Sequence, residues 1–142
     1  MDAVERLEAI EEIKLLKARY FRCMDTKDWA GYAQVFAPDA VMDMTSEGAG
    51  VTTGNREIAA FVQGVVGDVT TVHHGHMPEI EITSPTTATG IWAMEDKLRW
   101  PDGAPMGSMH GYGHYHETYQ KVDGGWRIKT LELRRLRVDF EE

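Results

Sequence analysis

Hydrophobic positions change their period about halfway along the chain. As far as residue 66 they recur at helical spacing, and from residue 72 onward they alternate with polar positions, which is typical of strands. The helical pattern predicts helices over residues 3–24, 29–36 and 55–66. Between the second and third helices, residues 41–44 are predicted as a short strand, and the Gly- and Thr-rich residues 46–54 as a loop.

The second half of the chain is predicted to be a sheet. Long strands are expected over residues 72–82, 88–100, 110–122 and 126–138. They are separated by Ser84-Pro85, by Pro101-Asp102-Gly103 and by Asp123-Gly124-Gly125, the last of which is a strong hairpin signal. Helices followed by antiparallel strands predict one α+β domain over residues 1–142. A sheet that curls over three helices would enclose a cone-shaped pocket.

Charge and composition exclude several classes of protein. The 142 residues carry a net charge of −8, which argues against binding to nucleic acid or to anionic membranes. The one basic cluster, Arg134-Arg135-Leu136-Arg137, alternates with apolar residues and is predicted to lie on the solvated face of a strand. The single cysteine, Cys23, excludes an intrachain disulfide and is expected to be a packed thiol. The N-terminus is acidic and lacks the apolar segment of a signal peptide, and no apolar run reaches transmembrane length. These features predict a cytoplasmic protein.

The histidine-rich stretch over residues 71–82 is the first candidate for chemistry. Three of the chain's six histidines lie within four residues at its start. Successive strand residues face opposite sides, so His74 and His76 should share a face with Ile80 and Ile82. His73 falls on the other face. Because the isoleucines mark the inner face, the pattern predicts that His74 and His76 point into the protein.

Two carboxylates accompany these histidines. Asp25 lies 18 residues after Leu7, about five helical turns, which places it on the apolar stripe of the first helix. Asp25 is therefore either a functional acid or a cap for the next helix. Asp96 is the one acid on an otherwise apolar strand face, and it is either a functional group or a structural partner for a histidine or arginine. That strand face consists of Trp92, Met94, Asp96, Leu98 and Trp100.

A metal site is an alternative use of the histidines. His74 and His76, like His114 and His116, are spaced so that each pair could chelate a metal from one strand. The spacing from His74 through His76 to Glu81 also resembles the first metal motif of cupins. Because Glu81 falls on the strand face opposite the two histidines, a cupin-like metal site is disfavoured. The chain also has no phosphate-binding glycine loop and no nucleophile elbow. The remaining alternatives are acid–base chemistry by His and Asp in an aromatic-rich pocket, or binding of a ligand there without catalysis.

Several segments resemble the SnoaL-like branch of the nuclear transport factor 2-like superfamily. They are Asp25-Thr26-Lys27-Asp28-Trp29, Val35-Phe36-Ala37-Pro38-Asp39-Ala40, Gly54-Asn55-Arg56-Glu57-Ile58, Thr71-Val72-His73-His74 and Asp123-Gly124-Gly125-Trp126-Arg127-Ile128. The resemblance covers nearly the whole chain and implies a curved, mostly antiparallel sheet with three N-terminal helices around a pocket. Superfamily members include dehydratases, isomerases, cyclases, hydrolases and noncatalytic binding modules.

Within that branch the chain is similar to scytalone dehydratase and bacterial bile-acid dehydratases. The resemblance implies that Asp25 and His74 face each other in the cavity, with Asp96 as a further acid. Two tyrosines of the scytalone dehydratase pattern are replaced here by Met24 and Met44. The expected function is a cofactor-independent dehydratase or isomerase for a steroid, aromatic or polyketide-like compound. The residues expected to bind it are Tyr20, Trp29, Phe61, His76, Trp92, Met94 and Tyr115.

Two further expectations concern alternatives and partners. A noncatalytic ligand-binding or assembly module of the same fold is the alternative to an enzyme, and a metalloprotein that uses His74, His76, His114 and His116 is the third hypothesis. A homodimer or homotrimer is expected, because an open curved sheet of this type commonly buries its outer face against another subunit.

Overall fold

The computed structural model describes residues 1–142, with three α-helices, a 3-10 helix and six strands. The helices are α1 (Ala3–Asp25), α2 (Trp29–Gln34) and α3 (Asn55–Val66), and the 3-10 helix is Thr45–Glu47. The strands are β1 (Phe36–Asp43), β2 (Val51–Thr53), β3 (Thr70–Ser84), β4 (Thr87–Arg99), β5 (Ser108–Val122) and β6 (Gly125–Glu141). This succession confirms the predicted α+β class.

The strands form one curved, unclosed sheet in the order β2-β1-β6-β5-β4-β3. All neighbours are antiparallel except β1 and β6, which run parallel. The helices pack against one face of this sheet, so its inner side is covered and its outer side is left without a layer of its own. The arrangement confirms the predicted cone of three helices on a mostly antiparallel sheet.

Local sequence signals set the ends of the first two helices. The Asp2 side chain accepts a hydrogen bond from the Glu5 backbone N–H at 2.8 Å and so caps α1. Asp28 caps α2 in the same way, through the backbone N–H of Gly31. Helix α2 ends at Gln34, before the predicted residue 36, because Phe36 already pairs with Ile128 of β6. Pairing with the sheet therefore overrides the continued helical pattern.

The β5–β6 hairpin turns where the sequence predicts it. Asp123 and Gly124 both have positive φ, at 51° and 83°. Two consecutive residues of positive φ are the requirement of the tight turn whose twist matches that of the flanking strands. The hairpin brings β6 back across the whole length of β5.

Strand β3 contains a bulge that reverses which of its residues face inward. His76 pairs with Ala93 and Glu79 with Ile91, so three steps along β3 correspond to two along β4. The extra residue lies at Met77-Pro78, where Met77 has a φ of 31° and is 90% exposed. Before the bulge the odd-numbered residues face the interior, and after it the even-numbered residues do.

The core fills the space between helices and sheet. Its fully buried large side chains include Ile13, Tyr32, Phe36, Ile58 and Ile128. Cys23 is buried, in agreement with the prediction of a packed thiol. None of the helices combines the length and the apolar character that a membrane span requires.

Candidate functional site

A cavity of about 300 Å³ lies between the helices and the inner face of the sheet. Most of its wall is apolar and rich in methionine and aromatic side chains, among them Met24, Met42, Met44, Phe61, Trp100, Met109 and Phe140. Three tyrosines, Tyr20, Tyr32 and Tyr115, also line it. The other ionisable groups on its wall are Glu47, His73, Asp96 and Arg135. A few polar groups in an apolar hollow are typical of small-molecule sites.

His73 and Asp25 form a close pair at this cavity. The imidazole Nδ1 lies 2.7 Å from Asp25 Oδ1, and the His73 backbone N–H donates to Asp25 Oδ2 at 2.9 Å. Because an ionised carboxylate can only accept, Nδ1 of neutral His73 carries the proton and Nε2 keeps its lone pair. The His73 side chain is 7% exposed, so this lone pair is largely withdrawn from bulk water.

Helix α1 and strand β3 bring the two residues together. Asp25 is the last residue of α1, and His73 is the fourth residue of β3, on its inner face before the bulge. Phe21, one turn earlier in α1, stacks on the imidazole with ring centroids 6.3 Å apart and an interplanar angle of 17°. The aromatic contact and the two hydrogen bonds fix the orientation of the imidazole ring.

The Asp25 carboxylate is held in its ionised form. Partial burial by itself raises its pKa, but hydrogen bonds from the His73 ring and backbone and from Thr71 outweigh this effect and hold the pKa below its ordinary value. Thr71 Oγ1 donates to Asp25 Oδ1 at 2.9 Å. At neutral pH Asp25 therefore carries a negative charge next to the Nδ1–H of His73 and orients the imidazole.

A second set of charges lies on the other side of the imidazole. Asp96, the cross-strand partner of His73, has Oδ2 3.7 Å from His73 Nε2. Both terminal nitrogens of Arg135 donate hydrogen bonds to the Asp96 carboxylate, at 2.7 and 3.0 Å, and its Nε donates to Glu47 at 2.7 Å. Although burial lowers the pKa of Arg135, the Asp96 and Glu47 carboxylates outweigh it and raise that pKa. Arg135 thus balances the charge of Asp96 beside the base.

A buried ion pair supports the cavity wall from behind. Lys17 Nζ lies 2.5 Å from Glu117 Oε2, and neither side chain has any solvent exposure. The ammonium sits 3.6 Å from the ring centroids of both Tyr20 and Tyr115. Glu117 Oε1 in turn accepts from the Tyr119 hydroxyl at 2.6 Å. The pair therefore fixes two of the tyrosines that line the cavity.

The structure brings some of the expected site residues together. Asp25 and Asp96 both flank one imidazole, and Tyr20, Phe61 and Tyr115 line the cavity. The placement of Tyr20, Asp25 and Phe61 follows the helical pattern, and that of Asp96 follows the alternation of its strand. Their chemical roles remain predictions.

The inward placement of His74 and His76 is wrong. Both are exposed on the outer face, where His76 Nε2 contacts Glu95 Oε2 at 3.1 Å. Ile80 and Ile82 correctly show that even-numbered residues face inward after the bulge. Before the bulge the odd-numbered residues face inward, so His74 and His76 point outward. Pro78, a residue that strands accommodate mainly at a sheet edge or at a bulge, is the signal in the sequence that could have revealed the irregularity.

Three predicted contacts with a ligand are also absent from the cavity wall. Trp29 packs edge-on against Tyr32 and lies in a surface groove between α2 and α3. Trp92 is buried, where its indole N–H donates to Tyr119 at 2.9 Å, and Met94 is buried with its sulfur 3.8 Å from Arg135. The part of β4 that faces the cavity begins only at Asp96.

Among the site residues that sequence reasoning misses are His73 and Arg135. The alternation read from Ile80 and Ile82 assigns His73 to the outer face, because it does not include the bulge. Arg135 is assigned to solvent with its cluster, but it is 14% exposed and shares the inner face of β6 with Leu131 and Leu133. The alternation that starts at those leucines is the signal that could have found it.

The four histidines of the metalloprotein hypothesis do not assemble. No group of three or more His, Cys, Asp or Glu side chains is arranged so that it could hold a metal ion. His114 lies on the outer face beside Arg134, and His116 pairs with Glu132 of β6. The geometry therefore gives that hypothesis no support.

Gly111 provides the room for the Asp96–Arg135 pair. A methyl group at this position would collide with the Asp96 carboxylate and the Arg135 guanidinium. We expect Gly111→Ala to force the pair apart and to lower the free energy of unfolding by about 1–3 kcal/mol, as overpacking does. Gly64→Ala, in open space on α3, is the matched control and should be neutral or slightly stabilising. Equal melting temperatures for the two variants would contradict this assignment.

The depressed pKa of Asp25 should appear in the pH dependence of stability. A carboxyl group with a lower pKa in the folded than in the unfolded state stabilises above the unfolded value, near 3.9, and this contribution disappears as the pH falls through the folded value. The difference in stability between wild type and Asp25→Asn, measured by urea unfolding, should therefore be largest above about pH 5 and should shrink as the pH falls below about 3.9. A difference that is constant over this range would show that Asp25 is not held ionised by its neighbours.

Comparisons with known proteins identify the family and the fold. Residues 5–132 match the family model of the SnoaL-like domain, which confirms the predicted resemblance. The probable cyclase FGR4 of Gibberella zeae is 28% identical in an alignment of 140 residues, covering 91% of this chain and 92% of the cyclase. A protein of Novosphingobium aromaticivorans provisionally named scytalone dehydratase has a TM-score of 0.88 at 23% identity, over 99% of this chain and 93% of its own. A LinA-type3 hexachlorocyclohexane dehydrochlorinase of Novosphingobium barchaimii has a TM-score of 0.86 at 21% identity, over 99% and 94% of the two chains. The two structures establish the shared fold.

Proposed function

The chain belongs to the SnoaL-like family, and from this premise we propose that it is a cofactor-independent dehydratase or isomerase for a small hydrophobic carbonyl compound. One observation carries the proposal: the lone pair of His73 Nε2, fixed by the bond from Nδ1 to Asp25, lies on the wall of an apolar cavity. A base in this setting is suited to removing a proton from carbon next to a carbonyl group.

The proton can be followed through the reaction. His73 Nε2 takes the α-proton of the substrate, and the imidazolium that forms lies between the carboxylates of Asp25 and Asp96. In a dehydration the C–O bond to a β-hydroxyl breaks and His73 returns the proton to that oxygen, so that water leaves. In an isomerisation His73 returns the proton to another carbon. Either way the base is regenerated without a cofactor.

The tyrosines supply donors for the carbonyl oxygen. Burial raises the pKa of both Tyr20 and Tyr115 well above its ordinary value, so their hydroxyls keep their protons at neutral pH. The buried Tyr32 hydroxyl, on the same cavity wall, has no hydrogen-bond partner within the protein. An enolate oxygen that accepts from such donors is stabilised more than the ground-state carbonyl, which lowers the barrier.

The chemistry named for the relatives supports this class of reaction. Dehydration and dehydrochlorination each require removal of a proton from carbon, and both names occur among proteins that share this fold. The methionine-rich lining suits a flat, mostly apolar guest. Assembly as a homodimer or homotrimer through the outer sheet face and a cytoplasmic location both stay predictions.

Deuterium exchange tests the proposal with simple ketones in place of the natural substrate. The protein is incubated in D₂O with a panel of cyclic ketones and β-hydroxy ketones, and loss of the α-proton signal is followed by NMR. Wild type should accelerate exchange or elimination for at least one compound that fits the cavity, and His73→Ala should not. Compounds that bind, by saturation-transfer NMR, but that never exchange or react would favour the noncatalytic binding module instead.

A further inference from the structure

Lys27 adopts a backbone conformation that lysine rarely takes. Its φ is 64°, in the left-handed region, immediately after the end of α1. The conformation closes the helix: the backbone N–H groups of Lys27 and Asp28 donate to the carbonyl oxygens of Met24 and Cys23, at 3.2 and 2.8 Å. Glycine is the residue that most often occupies this position, so the sequence has a lysine where its side chain must serve another purpose.

The ammonium of Lys27 joins three parts of the fold. Lys27 Nζ donates to the backbone oxygen of Val66 at 2.9 Å and to Thr71 Oγ1 at 3.1 Å. Val66 is the last residue of α3, and Thr71 lies near the start of β3, on its inner face. The side chain therefore ties the end of α1 to the end of α3 and to the strand that carries His73.

These contacts fix the direction of a hydrogen-bond chain. An ammonium group has only donors, so the Thr71 oxygen must accept from Lys27. The one proton of the Thr71 hydroxyl is then free to point at Asp25 Oδ1, 2.9 Å away. The same Asp25 oxygen accepts from His73 Nδ1. The chain thus runs from Lys27 through Thr71 to Asp25, where it meets the proton of His73.

We propose that Lys27 is a positioning residue of the Asp25–His73 pair, acting through the Thr71 hydroxyl. By donating to the Thr71 oxygen, Lys27 directs the threonine proton toward Asp25, and this keeps the carboxylate turned toward Nδ1 of His73. Lys27 lies outside the cavity wall and does not touch the proposed substrate. The inference rests on the proposed function, because it assumes that the Asp25–His73 pair is the catalytic unit.

Two substitutions distinguish the role of the Lys27 side chain from that of its backbone conformation. Lys27→Met removes the ammonium and keeps the strained conformation, whereas Lys27→Gly removes both the ammonium and the strain. If Lys27 serves only to form a turn, the glycine variant should behave as wild type. If the ammonium matters, both variants should lose the same property. Lys14→Met, at an exposed position of α1, is the matched control.

The measurement is the state of the His73 ring in the protein alone. In protein labelled with ¹⁵N-histidine, the Nδ1–H proton of His73 should give a slowly exchanging NMR signal. In Lys27→Met and in Lys27→Gly its exchange with water should become about tenfold faster or more, the scale of one lost hydrogen bond in a charged network. Thr71→Val should reproduce the effect, and combining it with Lys27→Met should add little further, since both act through one bond. Circular dichroism checks that each variant is folded.

The outcomes distinguish this inference from the proposed function. The role of the ammonium is overturned if the Nδ1–H proton of His73 exchanges at the wild-type rate in folded Lys27→Met. It is equally overturned if the exchange rate is that of wild type in Lys27→Gly but not in Lys27→Met. Neither result would affect the Asp25–His73 pair itself. Asp25→Ala should abolish the protected Nδ1–H signal. If it does not, the Asp25–His73 pair itself is absent in solution, and the proposed function fails as well.

Discussion

Replacing His73 with alanine should lower kcat/KM by about 10³-fold or more, whereas the same change at His74 should leave it within about threefold of wild type. His73 is the imidazole that contacts Asp25 at 2.7 Å and lines the cavity, while its neighbour His74 is exposed on the outer face. The two substitutions delete the same side chain one residue apart. They therefore separate loss of the base from loss of a histidine in this strand.

The measurement uses the compound that exchanges or reacts fastest in the D₂O panel, with kcat and KM determined separately. Loss of a base that acts in the transition state should lower kcat and leave KM nearly unchanged. Circular dichroism and thermal unfolding confirm that His73→Ala is folded. An active His73→Ala variant, or a His74→Ala variant that is equally impaired, would remove His73 from the mechanism.

Removing one member of the Lys17–Glu117 pair should cost about 3–5 kcal/mol of unfolding free energy, because a buried charge is left without a partner. Neither side chain is exposed, and burial lowers the pKa of Lys17 to about 8 in spite of the opposing effect of Glu117. In Lys17→Met the Glu117 carboxylate keeps its bond from Tyr119 but loses its counter-charge. Urea unfolding at pH 7 measures the difference.

The double variant is the informative control. Lys17→Met with Glu117→Gln removes both charges, while the amide oxygen can still accept from Tyr119. We expect its stability to lie within about 1–2 kcal/mol of wild type, since a neutral replacement of a buried ion pair costs little. Single and double variants that are equally unstable would indicate that packing, rather than charge pairing, is what Lys17 provides.

The helical period and the alternation of strand residues are sufficient to predict that Asp25 and Asp96 lie on the inward-facing sides of their elements. Asp25 falls on the apolar stripe of α1, because its position follows from whole helical turns, and its side chain is 22% exposed. Asp96 is 4% exposed on the regular inner face of β4. In both cases the local period holds without interruption from the nearest apolar anchors to the residue concerned.

The same reasoning fails wherever the period is broken or the residue type suggests solvent. One extra residue at Met77-Pro78 exchanges the faces of His73 and His74. Arg135 carries a charge that sequence reasoning assigns to solvent, and sequence reasoning makes no prediction for Lys17, but in the structure both have carboxylate partners that compensate for burial. Those partners are distant in the chain: Lys17 and Glu117, for example, are 100 residues apart.

The sequence by itself determined the class of fold, the number of helices and long strands, the hairpin at Asp123-Gly124 and the inward placement of Asp25 and Asp96. These depend on periodicity and turn chemistry, which are local properties. Only the tertiary structure decided which histidine meets Asp25, that Arg135 balances Asp96, and that Lys27 reaches Thr71. Each of these depends on strand register or on contacts between distant segments, and a single bulge residue is enough to change the outcome.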